Sequence, residues 1–152
     1  MLYAHDEPGV LTIDVAGPAT MVESPAVHAT ASARMSRGVR VVRIDLRDCA
    51  IMDSTFSGTL LALKRELERK DGTLTLVTPS PKVVELLGQM GLEDFYDLDL
   101  AERACGPWEE ISPATPSVER LRSVVAGAHE ELVRIPGPAA EVFRAVVEEL
   151  RR

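Results

Sequence analysis

Short stretches of β-branched and apolar residues alternate along the chain with longer stretches of helical periodicity. Val10-Leu11-Thr12-Ile13-Asp14-Val15-Ala16 is dominated by strand formers and stops at Gly17-Pro18, so residues 10–16 read as a strand. Residues 24–35 are small and helix-compatible, with Pro25 in the first turn after a Ser24 cap and Gly38 closing the segment. The nearly apolar run of residues 39–46 suits a strand at the centre of a sheet. Over residues 53–70, Phe56, Leu60, Leu63 and Leu67 recur at spacings of four, three and four, which is one face of a helix; Lys64, Arg65, Glu68 and Arg69 take the other. Asp71-Gly72 supplies a turn, residues 73–77 a third strand, and Ser80-Pro81 the cap and first turn of a helix bearing Val83, Val84, Leu86, Leu87 and Met90, closed by Gly91. This cadence predicts an α/β layer fold.

Pro107, Pro113 and Pro116 mark residues 105–116 as a connector, because closely spaced prolines favour extended backbone. Two amphipathic helices follow. Residues 117–133 place Val118, Leu121, Val125, Ala128 and Leu132 on one stripe, residues 139–151 do so with Val142, Phe143, Val146, Val147 and Leu150, and Pro136-Gly137-Pro138 turns between them. The chain therefore divides into a domain over 1–104, the connector, and a C-terminal helical extension over 117–152. The apolar seam of that hairpin needs a cover, and its own domain is the simplest one. Trp108 is expected to pin the connector to the domain, and Phe95 and Phe143 to lie on the inward faces of their helices.

Bulk properties narrow the function. A chain of 152 residues is one ordinary domain with a short appendage, and 45% hydrophobic with 27% charged residues is globular composition. A net charge of -7 argues against nucleic acid, whose affinity needs clustered Lys and Arg. No apolar run approaches the ~20 residues that span a bilayer, and Met1-Leu2-Tyr3-Ala4-His5-Asp6-Glu7 lacks the layout of a signal peptide, so a cytoplasmic protein without direct membrane insertion is expected. Cys49 and Cys105 lie far apart and suggest neither a disulfide nor a zinc site. His5, His28 and His129 fall on separate elements and are expected as surface or partly buried polar residues, with no metal and no cofactor. There is no Gly-x-Ser-x-Gly elbow, no phosphate-binding glycine loop and no histidine with an evident reason to approach a serine as base, so catalysis is not expected.

The candidate chemistry lies at Asp53-Ser54-Thr55, where a loop after a buried strand hands over to the amphipathic helix. Hydroxyls and carboxylates there cap the unpaired N–H groups of a first helical turn. The same amides and the helix dipole also accommodate a phosphate group. The local residues leave both readings open.

From about residue 10 to 95 the chain resembles the STAS family of anti-sigma factor antagonists (anti-anti-sigma factors). The resemblance is carried by Val41-Val42-Arg43-Ile44-Asp45-Leu46 followed by Ile51-Met52-Asp53-Ser54-Thr55, the Leu-rich helix to Arg69, Gly72 before Thr73-Leu74-Thr75-Leu76-Val77, and Ser80-Pro81-Lys82-Val83 leading to Gly91-Leu92-Glu93-Asp94-Phe95. It implies a STAS-like α/β sandwich with a mixed sheet of four to five strands, here with a C-terminal helical hairpin added. It also implies a phosphoprotein of bacterial signal transduction and transcription regulation, in which Ser54 is phosphorylated by an anti-sigma factor or serine kinase and restored by a PP2C-like phosphatase. Asp53, Thr55, Phe56 and Ser57 would then contact the partner, with Asp45 in support. Family members usually carry a glycine where this chain has Phe56 and an apolar residue at Ser57, and Gly17-Pro18-Ala19-Thr20 lacks the usual acidic pair. Phe56 and the extra helices motivate a second reading, a non-switching scaffold or accessory subunit of a sensor or membrane transport complex.

Overall fold

The computed structural model describes residues 1–112, 116–137 and 139–152. Three of the expected strands form the centre of one mixed sheet: β2 (Val10–Val15), β4 (Val41–Asp45) and β6 (Thr73–Val77) run parallel, with Leu11, Val42 and Leu74 in one row and Ile13, Ile44 and Leu76 in the next. All six of these side chains are buried, because successive residues of a strand face opposite ways and these rows face the helices. The sheet is wider than the four to five strands expected, since β1 (Leu2–Glu7) pairs antiparallel with β2, and short strands β7 (Asp97–Asp99) and β8 (Glu109–Ile111) close its two edges. The strands β3 (Gly17–Ala19) and β5 (Cys49–Met52) form a separate parallel pair.

Helices α1 (Ser24–Met35), α2 (Ser54–Glu68) and α3 (Pro81–Gln89) contribute Val27, Ala31, Phe56, Leu60, Leu63, Leu67, Val83 and Leu87 to a core shared with the sheet. Ser24 is the first helical residue rather than the cap of α1; its hydroxyl donates to the Thr20 carbonyl, while the Glu23 carboxylate accepts from the Thr20 amide and hydroxyl. Phe95 lies in the turn after α3 and is 39% exposed, so it is not a core residue.

With β7 and β8 at opposite edges, residues 100–108 must cross the back of the sheet. Arg47 and Thr78 donate to the Ala101 carbonyl, His5 Nδ1–H donates to the Pro107 carbonyl (2.8 Å), and the Trp108 ring stacks obliquely 5.4 Å from His5. Trp108 thus pins the connector, part of which becomes strand β8. Pro113 lies outside the described residues, as does Pro138 of the later turn. His5 is buried beneath this strap, further in than the surface or partly buried position expected of it.

The hairpin α4 (Val118–Val133) and α5 (Ala139–Leu150) packs on its own domain, chiefly with α4 across α2. Leu132 joins the core, with Ile135 and Phe143 packed against it; Val118 and Val142 are exposed at the helix starts, where the apolar stripe has turned away from the domain. Among the described residues, no helix is long and apolar enough to cross a membrane.

Candidate functional site

The site begins with the cap of α2. Asp53 has extended backbone (φ -94°, ψ 173°), and its two carboxylate oxygens do different work: Oδ1 accepts from the Phe56 amide (2.8 Å) and Oδ2 from the Met21 amide (2.9 Å). One side chain therefore closes the first turn of α2 and holds the loop after β3 beside it. Met21 and Val22 in that loop and Ile51 on β5 are exposed apolar residues flanking the cap, a patch that the sequence reading did not single out.

Ser54 follows as the first residue of α2 and is half-buried. Its hydroxyl lies 2.9 Å from His129 Nε2, and His129 Nδ1 lies 2.8 Å from the Val125 carbonyl oxygen. A carbonyl only accepts, so Nδ1 carries the proton in the neutral ring and the Ser54 hydroxyl donates to Nε2. The opposite side of the imidazole meets Phe143 edge to face at 5.6 Å. This overturns two expectations: a histidine does approach the serine, and His129 is buried. Seventy-five positions separate the two residues, so only the packing of α4 on α2 brings them together.

The neighbouring hydroxyls are not presented. Thr55, Phe56 and Ser57, expected as partner contacts, are buried at 4%, 0% and 0% exposure. Phe56 points into the core and puts no bulk beside Ser54. The Ser57 hydroxyl donates to the Asp53 carbonyl, and the Ser57 carbonyl accepts from the buried Tyr96 hydroxyl (2.8 Å). Their positions on a helix whose apolar face enters the core leave no route to a partner while the domain is folded.

Asp45, expected to support the site, instead belongs to a buried charge cluster behind the sheet. Asp14 and Asp45 are register partners at the ends of β2 and β4, each 1% exposed. Arg47 grips both oxygens of Asp45 at 2.9 and 3.0 Å. The Arg103 guanidinium comes within 2.9 Å of Asp14, but neither Asp14 oxygen receives a hydrogen bond. Burial pushes the Asp14 carboxyl up; Arg103 opposes this, and Asp45 and Asp48 add to it. A carboxyl raised in the folded state favours folding most below its unfolded value near 3.8, and that contribution is lost as pH rises through the folded value. Asp14→Asn should therefore gain stability relative to the parent between pH 4 and pH 7, read from urea midpoints at the two pH values. A difference that stays flat or falls with pH would contradict this account of Asp14.

Among the described residues, no group of three or more His, Cys, Asp or Glu is arranged to hold a metal ion. Both cysteines are free; burial pushes the Cys49 thiol up to about 11, while Cys105 is exposed.

A family model described as "Mlab, STAS domain" matches residues 4–101. No curated protein matches the chain. Among solved structures, the fold is similar to the anti-sigma factor antagonist SpoIIAA in its unphosphorylated form, with TM-score 0.59 and 22% identity over 66% of this chain and 89% of that one. The Bacillus cell fate determinant SpoIIAA in its phosphorylated form gives 0.55 and 20% over 66% and 92%. An anti-sigma factor antagonist from Mycobacterium paratuberculosis gives 0.56 and 20%, covering 82% of this chain and 92% of its own.

Proposed function

Since the chain belongs to the STAS domain family, we propose that it acts as an anti-sigma factor antagonist whose docking to an anti-sigma factor or serine kinase is switched by phosphorylation of Ser54. The observation that supports this reading is selectivity within the first two turns of α2: of the hydroxyls of Ser54, Thr55, Ser57 and Thr59, only that of Ser54 belongs to a residue that is not buried. It sits where first-turn amides and the helix dipole favour an anion. In the transfer, Ser54 Oγ forms a bond to the γ-phosphorus of ATP as the bond to the bridging oxygen of ADP breaks, and the hydroxyl proton passes to the kinase base. The product carries roughly -1.5 to -2 charges beside Asp53 and the apolar patch of Met21, Val22 and Ile51, which repels or desolvates an interface centred there. A PP2C-like phosphatase would reverse the step.

Incubation with the cognate kinase and ATP should add one phosphate that vanishes in Ser54→Ala. A phosphate on Thr55 or Ser57, or none at all, would sink the switch. The second reading, a non-switching scaffold or accessory subunit, draws on the fact that Ser54 is already hydrogen-bonded within its own chain. It requires a complex of fixed stoichiometry whose assembly is the same for the parent and Ser54→Ala.

A further inference from the structure

The contact between α4 and α2 differs in kind from the rest of the interior. The side of α2 turned to the sheet carries Phe56, Leu60, Leu63 and Leu67, all fully buried. The side turned to α4 carries a single large apolar residue, the buried Leu61, among small and polar ones: Ser54 bonds to His129, Gly58 lies against the backbone of Ala128, and Thr59 and Ala62 line a cavity of about 290 Å³ with Val124, Gly127 and Ala128 of α4. An interface built mainly of hydroxyls, glycines and alanines around a cavity, with Leu61 and Leu132 as its large apolar members, loses fewer dispersion contacts and less apolar burial when it opens than the face of α2 on the sheet would. Of the sixteen residues of α4, only Leu132 belongs to the buried core cluster. Besides the close seat of Ala128 on Gly58, the two helices are tied by polar contacts, the Ser54–His129 hydrogen bond and an ion pair between Arg65 and Glu131.

We propose that α4 is a detachable intramolecular cover over Ser54, seated on Gly58 and latched by His129, so that a kinase reaches the serine only in the fraction of molecules whose α4 has lifted. This deepens the proposed function and takes from it that Ser54 is the modified residue. The hydroxyl that must attack phosphorus is the one bound to a buried imidazole 2.9 Å away, and a phosphate on that oxygen displaces the hydrogen bond that seats the ring. Modification and cover are then linked: the seated cover lowers the apparent rate of phosphorylation by the fraction of molecules that are open, and phosphate on Ser54 holds the cover off by the same coupling. Lifting α4 exposes a face of α2 on which Leu61 is the one large apolar residue among hydroxyl, glycine and alanine positions.

The test separates opening from phosphorylation. A side-chain carbon added at Gly58 would stand 2.1 Å from the Ala128 carbonyl oxygen, so Gly58→Ala must push α4 away, while alanine is a better helix former than glycine and keeps α2 intact. Ser54→Cys in the full chain supplies a thiol whose alkylation by iodoacetamide is followed by mass spectrometry beside buried Cys49 and exposed Cys105. Adding Gly58→Ala should speed alkylation at position 54 about tenfold or more with Cys49 still protected, an order set by the cost of overpacking. With Ser54 retained, Gly58→Ala and, independently, His129→Ala should speed kinase-driven phosphate incorporation at that serine. Unchanged alkylation, or acceleration that extends to Cys49, overturns the cover. Faster alkylation with an unchanged phosphorylation rate overturns its control of the kinase. Faster alkylation with no phosphate on Ser54 in any chain supports the cover and retires the switch instead.

Discussion

Phe56→Ala should cost the protein about 3–5 kcal/mol of folding stability, read as a fall in the urea or guanidinium midpoint at unchanged slope. The ring is fully buried, and it belongs to the same core cluster as Leu60, Leu63 and Leu67 of its own helix and Ile13 and Ile44 of the sheet. Truncation removes the transfer free energy of the ring and leaves a cavity that the sheet is too constrained to fill. For a domain whose total stability is on the order of 5–15 kcal/mol, such a loss is a large share of the whole. A partner-facing Phe56, as suggested by its place two residues after Ser54, predicts the opposite pair of results: weakened docking and an almost unchanged midpoint. A loss below about 1 kcal/mol would put the ring outside the core and restore that alternative.

Phe56 also shows which sequence signals were sound. The spacing of Phe56, Leu60, Leu63 and Leu67 marks a buried helical face, and the structure buries all four. Assigning Phe56 to a partner surface as well asked one side chain to face two ways, and the periodicity was the stronger guide. The central strands were legible for the same reason, since their apolar rows align in register across β2, β4 and β6. Strands β7 and β8 were not, because three residues such as Asp97, Leu98 and Asp99 are too few for their polar and apolar alternation to distinguish them from a loop; their pairing is supplied by the neighbouring strand. At the site, the strand-to-helix placement of Asp53 and Ser54 was legible from cap chemistry. The burial of Thr55 and Ser57 was not, because hydroxyls that bond within their own helix look in sequence like hydroxyls that face water: Ser57 donates to the Asp53 carbonyl, and Thr59 returns a bond to the Thr55 carbonyl. The approach of His129 depends on how a distant helix seats, and no local pattern records that. The resemblance places Asp45 in support of Ser54, whereas strand register sets it beside Asp14 and Arg47 holds it there.

Asp53→Ala should cost about 2–3 kcal/mol, and the ordering of three proteins tests why. The carboxylate accepts two backbone N–H groups at once, those of Phe56 and Met21, and each is a hydrogen bond to a charged acceptor. Alanine removes both: it uncaps α2, at about 1 kcal/mol for that loss alone, and frees the loop that carries Met21 and Val22. Asparagine has one carbonyl oxygen where aspartate has two carboxylate oxygens, so Asp53→Asn keeps one acceptor and should fall midway between the parent and Asp53→Ala in denaturant midpoint at pH 7. If Asp53 served only to set a charge against a phosphate, all three midpoints would coincide. An asparagine variant as stable as the parent would show that only one of the two bonds matters, and equal losses in the asparagine and alanine variants would show that the bonds depend on the carboxylate charge. Because this single side chain fixes both the first turn that holds Ser54 and the apolar loop beside it, its removal should also slow the proposed phosphorylation of Ser54 without touching the residue itself, which ties the geometry of the cap to the presentation of that hydroxyl.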